Sequence, residues 1–195
     1  MAEEAKTGGK KTGLIIAGVI VAILAMWGIG TYNGFVGKKA EVDEGSSNID
    51  VQLKRRADLI PNLVNTIKGY TSHEQEVIDS ITNARENMLK ANTMSEKAEA
   101  DAQLSSALSG LAIVVENYPD LKADKTFVNL QDELAGTENR ISKARSDYNE
   151  DAKDYNVAIK RFPGSLIAGI GGFSEVEYFE ASESDKENPT VDFSK

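Results

Sequence analysis

Arg56 is the residue whose chemistry most needs explaining. It interrupts a run spaced by alternating steps of four and three: Val42, Ser46, Ile49, Leu53, Arg56, Ile60, Leu63, Ile67, Tyr70. A permanently charged guanidinium on such a stripe has three chemistries open to it. It can snorkel along the core edge, pair with a carboxylate in the interior, or bind an anionic ligand. If its helix and a later one beginning near Phe127 start level, Arg56 falls at the height of Thr137 to Ile141, where Glu138 is the nearest carboxylate. His73 is the one histidine and cysteine is absent. A metal centre would need a second ligand at suitable spacing, and thiol nucleophiles and disulfides are excluded. No nucleophile elbow, phosphate loop or di-iron Glu-x-x-His repeat occurs. Catalytic, cofactor and metal sites are therefore all expected to be none.

The elements that must position Arg56 and Glu138 read as helices throughout. Leu14 to Gly30 is an uncharged apolar stretch of seventeen residues. As a helix it spans about 25 Å, and extension through Tyr32 brings it near the ~30 Å of a hydrocarbon core. Trp27 and Tyr32 suit the far interface. No small-x-small cleavage pattern follows, so the stretch reads as a retained anchor rather than a signal peptide. Lys6, Lys10 and Lys11 on one side against Lys38 and Lys39 on the other lean weakly toward a cytoplasmic N-terminus and an exported bundle. Gly30 and Gly34 form a small-xxx-small pair that would let two anchors pack together.

Beyond the anchor, helical periodicity recurs in four segments. Ser72 to Gln75 reads as a capping box opening the second, whose stripe is Val77, Ile81, Ala84 and Met88. Thr93 and Glu96 cap the third, with Leu104, Leu108, Leu111, Val115 and Tyr118 as its stripe and Pro119 as its stop. The fourth runs from Phe127 through Leu130, Leu134, Thr137, Ile141, Ala144, Tyr148, Asp151, Tyr155 and Ala158 to Phe162. Spacing near 3.5 residues implies near-parallel, interdigitating helices, and short connections make sequential neighbours antiparallel. The expected fold is all-α, a transmembrane helix followed by an up-down four-helix bundle. Its first and last helices outrun the shorter middle pair and form a membrane-proximal stalk. Gly45-Ser-Ser47 is expected to interrupt the first helix, and Pro61 to bend it.

The expected division is a basic leader at 1–13, an anchor at 14–32, a bundle at 33–162, an apolar glycine-rich segment at 163–179 and an acidic flexible tail at 180–195. Leu166, Ile170 and Phe173 in the glycine-rich segment pack on the stalk, lie in the membrane interface, or form a loose strap. Protection without a regular helix is the expectation. The chain carries 22 Lys and Arg against 31 Asp and Glu, a formal charge of −9. So acidic a surface repels phosphate backbones, and no nucleic-acid partner is expected.

The assembled residues resemble the LemA family of bacterial membrane proteins. The resemblance rests on Tyr32-Asn33 and Val51-Gln-Leu-Lys-Arg-Arg-Ala-Asp-Leu-Ile-Pro-Asn-Leu-Val64. It continues through Lys68-Gly-Tyr70, His73-Glu74, Ala84-Arg85, Tyr118-Pro-Asp-Leu-Lys-Ala123 and Glu138-Asn-Arg-Ile141. Tyr148-Asn149, Tyr155-Asn156 and Phe162-Pro163 complete it. It implies a single-pass inner-membrane protein with a helical bundle and no established activity or ligand. A related branch that helps build magnetosome membranes hints at organising membrane or protein partners. The family is described with its bundle cytoplasmic, against the lysine count, so the side of the bundle stays open. Two functions follow. The first is a membrane-tethered interaction or scaffold module, held in lipid by its anchor and associating with protein partners or itself. The alternative is a carrier of a small apolar molecule or lipid in the bundle core.

Overall fold

The computed structural model describes residues 4–71 and 73–180, with side chains from Thr12 onward. Ser72 and nearly all of the expected acidic tail lie outside the described residues. Every regular element among the described residues is a helix: α1 Glu4–Lys68, α2 Gln75–Lys90, α3 Met94–Val115, α4 Pro119–Lys122, α5 Lys125–Lys160 and α6 Gly164–Gly171. A segment without regular secondary structure then leads to Glu180. One helix, α1, contains a stretch long and apolar enough to cross a membrane, and none of that stretch is buried in the protein.

The chain forms two compact units. The bundle unit takes Val42–Ala152 with the chain from Glu177 onward. Its core is mainly aliphatic, with Ile49, Ile60, Leu63, Ile67, Ile81, Leu104 and Ile141 fully buried beside the aromatic Phe127. Side-chain pairs give the helix directions. Asp50 meets Lys97 and Arg56 meets Asp101, so α1 and α3 run the same way. Tyr70 meets Asp124 and Arg56 meets Glu138, so α5 runs against α1. The anchor unit takes the N-terminal residues up to Glu41 with Lys153–Val176, and contains no part of α2 or α3. There Phe35, Ala168, Tyr155 and Ile159 are buried and Lys38 pairs with Asp154 at 3.4 Å.

Several local expectations need correction. α1 passes unbroken through Gly45-Ser-Ser47. A Cβ at Gly45 would lie 3.3 Å from the Tyr148 Cα, so this glycine admits the α5 backbone at close range and does not end the helix. Pro61 also lies inside α1. Proline cannot donate to the carbonyl four residues back, and that carbonyl, on Ala57, accepts from Arg85 Nε of α2 at 2.9 Å. At α2 the helix begins at Gln75 with Glu74 as N-cap and no side-chain cap bond. Glu74 instead accepts from the Tyr118 hydroxyl at 2.7 Å, and this bond pushes the phenol pKa up. α2 runs for 16 residues and contains the whole of its stripe from Val77 to Met88. At α3 the Thr93–Glu96 capping box forms, but the helix ends at Val115, and Pro119 opens α4 instead of stopping α3.

The last correction concerns period. The buried face of α5 shifts after Tyr148 to Ala152, Tyr155, Asn156 and Ile159. Phe162 is left exposed, and Asp151 and Ala158 are only half-buried. A strict seven-residue count drifts against the 3.6-residue turn of an α-helix, and over 36 residues the drift amounts to a change of face.

Candidate functional site

The buried polar cluster is centred on Arg56 and lies wholly in the bundle unit. The α1 stripe points the side chain inward, where it is 4% exposed. Nη1 lies 2.5 Å from Asp101 Oδ1, itself 3% exposed, and 2.5 Å from Glu138 Oε2. Nη2 donates to Ser105 Oγ at 3.1 Å. Arg145 Nη1 stands 3.9 Å from the second Asp101 oxygen. Arg56 Nε has no hydrogen-bond partner, and Glu138 Oε2, close as it is, lacks hydrogen-bond geometry. Glu138 is the peripheral member, with 41% of its side chain exposed.

Of the three chemistries open to Arg56, the structure places it in an interior ion pair, with Asp101 as the principal partner and Glu138 at the edge. Two arginines face two carboxylates, so the cluster is balanced within itself. Asp101 escaped the sequence reading, yet a signal was present. Counting back three from Leu104 on the α3 stripe lands on Asp101, a lone acid at a seam position facing a lone base at another. One turn earlier Lys97, also buried, pairs with Asp50 at 2.5 Å.

A groove of about 440 Å³ opens beside this cluster, lined by Leu63, Leu108, Leu111, Leu134, Arg56 and Glu138 among others. Among the described residues no group of three or more His, Asp or Glu side chains could hold a metal ion. His73 is exposed and precedes α2 instead of sitting in its first turn.

A second polar arrangement was not foreseen. In the bundle unit, Asn149 Nδ2 donates to the Phe179 carbonyl at 2.9 Å while Oδ1 accepts from the Phe179 N–H at 2.8 Å. The Tyr148 hydroxyl donates to the Glu177 carbonyl at 2.6 Å, and Arg145 stacks 4.6 Å over the buried Phe179 ring. Burial, with Glu177 and Asp43 nearby, raises the Tyr148 pKa. In the anchor unit, Asn156 clamps Val176 in the same two-bond way, both at 2.9 Å, and the Tyr155 hydroxyl donates to the Ser174 carbonyl at 3.0 Å. Each carboxamide satisfies one N–H and one C=O of a backbone that forms no helix or strand of its own. The sequence signal is the Tyr-Asn pair repeated seven residues on.

The remaining candidates lie in the anchor unit. Added Cβ atoms at Gly30 and Gly34 would meet nothing within 4 Å. The glycine-rich segment folds as α6, against the expectation that it would form no regular helix. Gly172, at φ 73°, closes it in the left-handed conformation that glycine adopts without strain. Phe173 packs edge-on against Tyr32 and Phe35, with ring centroids 5.2 and 5.4 Å apart. Leu166 and Ile170 face outward instead of being protected by protein.

Fold and site together define a membrane-associated, all-helical protein whose buried charges are paired within the chain. It belongs to the LemA family, whose model matches residues 45–193. Among its relatives, Magnetosome protein MamQ of Magnetospirillum gryphiswaldense is 28% identical, with 76% of this chain and 64% of the relative covered. Magnetosome protein MamQ 2 of Paramagnetospirillum magneticum is 29% identical with the same coverage. Protein LemA of Metamycoplasma hominis is 27% identical over 81% of this chain and 73% of its own length. The chain therefore spans just under two thirds of the MamQ relatives.

Proposed function

We propose that this protein is a membrane-tethered helical scaffold of the bacterial inner membrane that acts by association with protein partners, itself included, and not by catalysis. The observation that carries this reading is the internal closure of the Arg56 cluster. Arg56 spends its charge on Asp101 and Glu138, and Arg145 attends the remaining Asp101 oxygen. A cluster so balanced fixes helix register, the best-attested use of buried polar groups. The open faces at Gly30 and Gly34 support pairing of anchors, since small residues let helix backbones approach in lipid. The test is photocrosslinking of the full chain in native membranes from the exposed positions Ile113 and Val157 and from within the anchor. Discrete adducts to defined proteins, and self-adducts from the anchor that Gly30→Ile with Gly34→Ile abolishes, are expected. Only lipid adducts from every position would overturn the reading.

The groove beside Arg56 favours one alternative, a carrier of a small apolar molecule or lipid chain. Its leucines would hold the apolar part and Arg56 Nε would meet an acceptor on the head. Native mass spectrometry of the detergent-purified chain tests this. A bound species lost on Leu134→Trp would establish it, and a clean apo mass at every detergent concentration would exclude it.

A further inference from the structure

The apolar face of α6 has no protein covering it, and its place on α1 identifies what does. Gly164–Gly171 reads GSLIAGIG and carries no charged side chain. One side of this short helix is seated on α1 between Gly28 and Phe35. Ala168 is buried, the Ile167 Cδ1 lies 3.6 Å from where a Gly28 Cβ would be, and Cβ atoms at Gly164 and Gly171 would press on the Phe35 and Tyr32 rings at 3.1 Å. The other side is open, with Leu166 60% exposed and Ile170 87% exposed. Phe162, just before α6, is 76% exposed. Charge resumes immediately on either side, where Lys160 pairs with Glu175 at 2.7 Å.

Gly28 and Tyr32 belong to the part of α1 that reads as the membrane span and its aromatic boundary. Whatever is packed against them from outside shares their depth, and the medium at that depth is lipid. Tyr32, Phe35 and Phe173 form an aromatic group of the kind found at the level of lipid head groups. Leu166 and Ile170 thus continue an apolar surface that already includes Ile29, 62% exposed on α1 itself.

We infer that α6 is a second membrane contact, with Leu166, Ile170 and Phe162 entering the boundary between acyl chains and head groups on the side from which α1 emerges. The inference rests on the reading of Leu14 to Tyr32 as the membrane span. The occupant is the bilayer itself. With its inner side seated on the span, α6 leaves Leu166 and Ile170 as uncharged apolar surface that burial in the interface removes from water, and Arg161 stands one turn away at the level of the head groups. The end of α5 is then held at the membrane by a contact separate from the anchor.

The chain has no cysteine, so a fluorophore can be placed at single sites in the full-length protein. Leu166→Cys and Ile170→Cys are labelled in vesicles of phosphatidylethanolamine and phosphatidylglycerol, with Ile20→Cys as the anchor reference and Val128→Cys as the bundle reference. Doxyl groups near the lipid head should quench the labels at 166 and 170, doxyl groups deep in the acyl chains should quench the label at 20, and aqueous iodide should reach only the label at 128. Iodide quenching at 166 and 170 while 20 stays lipid-quenched would overturn the second contact and leave the anchor intact. Protection at 166 and 170 from both quenchers would also overturn it, because a second protein would then cover the face. Iodide access at 20 would remove the anchor reading and this inference together.

Discussion

Arg85 Nε of α2 donates to the carbonyl of Ala57, the residue four before Pro61 in α1. This bond explains how α1 tolerates an internal proline. The helix loses one acceptor's partner, and a neighbouring helix supplies it.

The two residues should therefore be coupled. Arg85→Ala leaves a partly buried carbonyl unpaired and is expected to cost about 1–3 kcal/mol. Pro61→Ala restores the N–H, so in that background the same change should cost clearly less. A double-mutant cycle from chemical unfolding of the full chain in detergent checks this. Strict additivity would mean that Arg85 acts only through its packing.

Asp101→Ala should destabilise the bundle by roughly 3–5 kcal/mol, because it strands a buried guanidinium. Replacing Arg56 and Asp101 together with leucine should cost much less. Glu138→Ala, at the solvent edge, should cost only about 1 kcal/mol or less. Unfolding midpoints of the four proteins decide the order, and a Glu138→Ala loss equal to that of Asp101→Ala would reverse the assignment of principal partner.

The segment after α6 should depend on the α5 asparagines that hold it. Asn156→Asp keeps an acceptor for the Val176 N–H but turns an oxygen toward the Val176 carbonyl, so the clamp is expected to open. Hydrogen exchange at Val176 should quicken, and so should limited proteolysis near Glu175. Asn149→Asp should do the same at Phe179. Unchanged protection in both variants would mean that burial alone holds the segment.

Acid should loosen the helix starts. Backbone N–H bonds from Asn92 and Thr93 hold the Glu96 carboxyl below its ordinary pKa. The Phe127 N–H, then the Tyr70 hydroxyl, do so for Asp124 at the start of α5. A carboxyl whose folded pKa is depressed contributes its full stability above the unfolded pKa and loses it as pH falls through the folded one. Thermal melts should thus decline from the normal carboxylate range downward. Asp124→Asn, which keeps a capping oxygen but cannot titrate, should show a shallower decline. An identical decline would place the acid sensitivity elsewhere.

The long apolar helix, the helical class and the α3 capping box were legible in the sequence because each is local. A charge-free run, a repeat of three and four, and a Thr-x-x-Glu pattern act within a few turns of their own chain. The family was legible through ordered short motifs spread along the chain. Gly45 misled because a glycine inside a helix looks the same in sequence whether it ends the helix or admits a neighbour. Only the approach of Tyr148 distinguishes the two. At Pro61 the sequence shows the lost N–H but not what replaces it, since the compensating donor, Arg85, sits on α2. Asp101 stood in its seam position throughout, but which carboxylate reaches Arg56 depends on the relative height of α1, α3 and α5, which packing sets and spacing cannot. The exposed side of α6 was likewise decided in three dimensions. The sequence alone made Leu166 and Ile170 apolar, while their outward direction follows from Ala168 and Ile167 taking the side against α1.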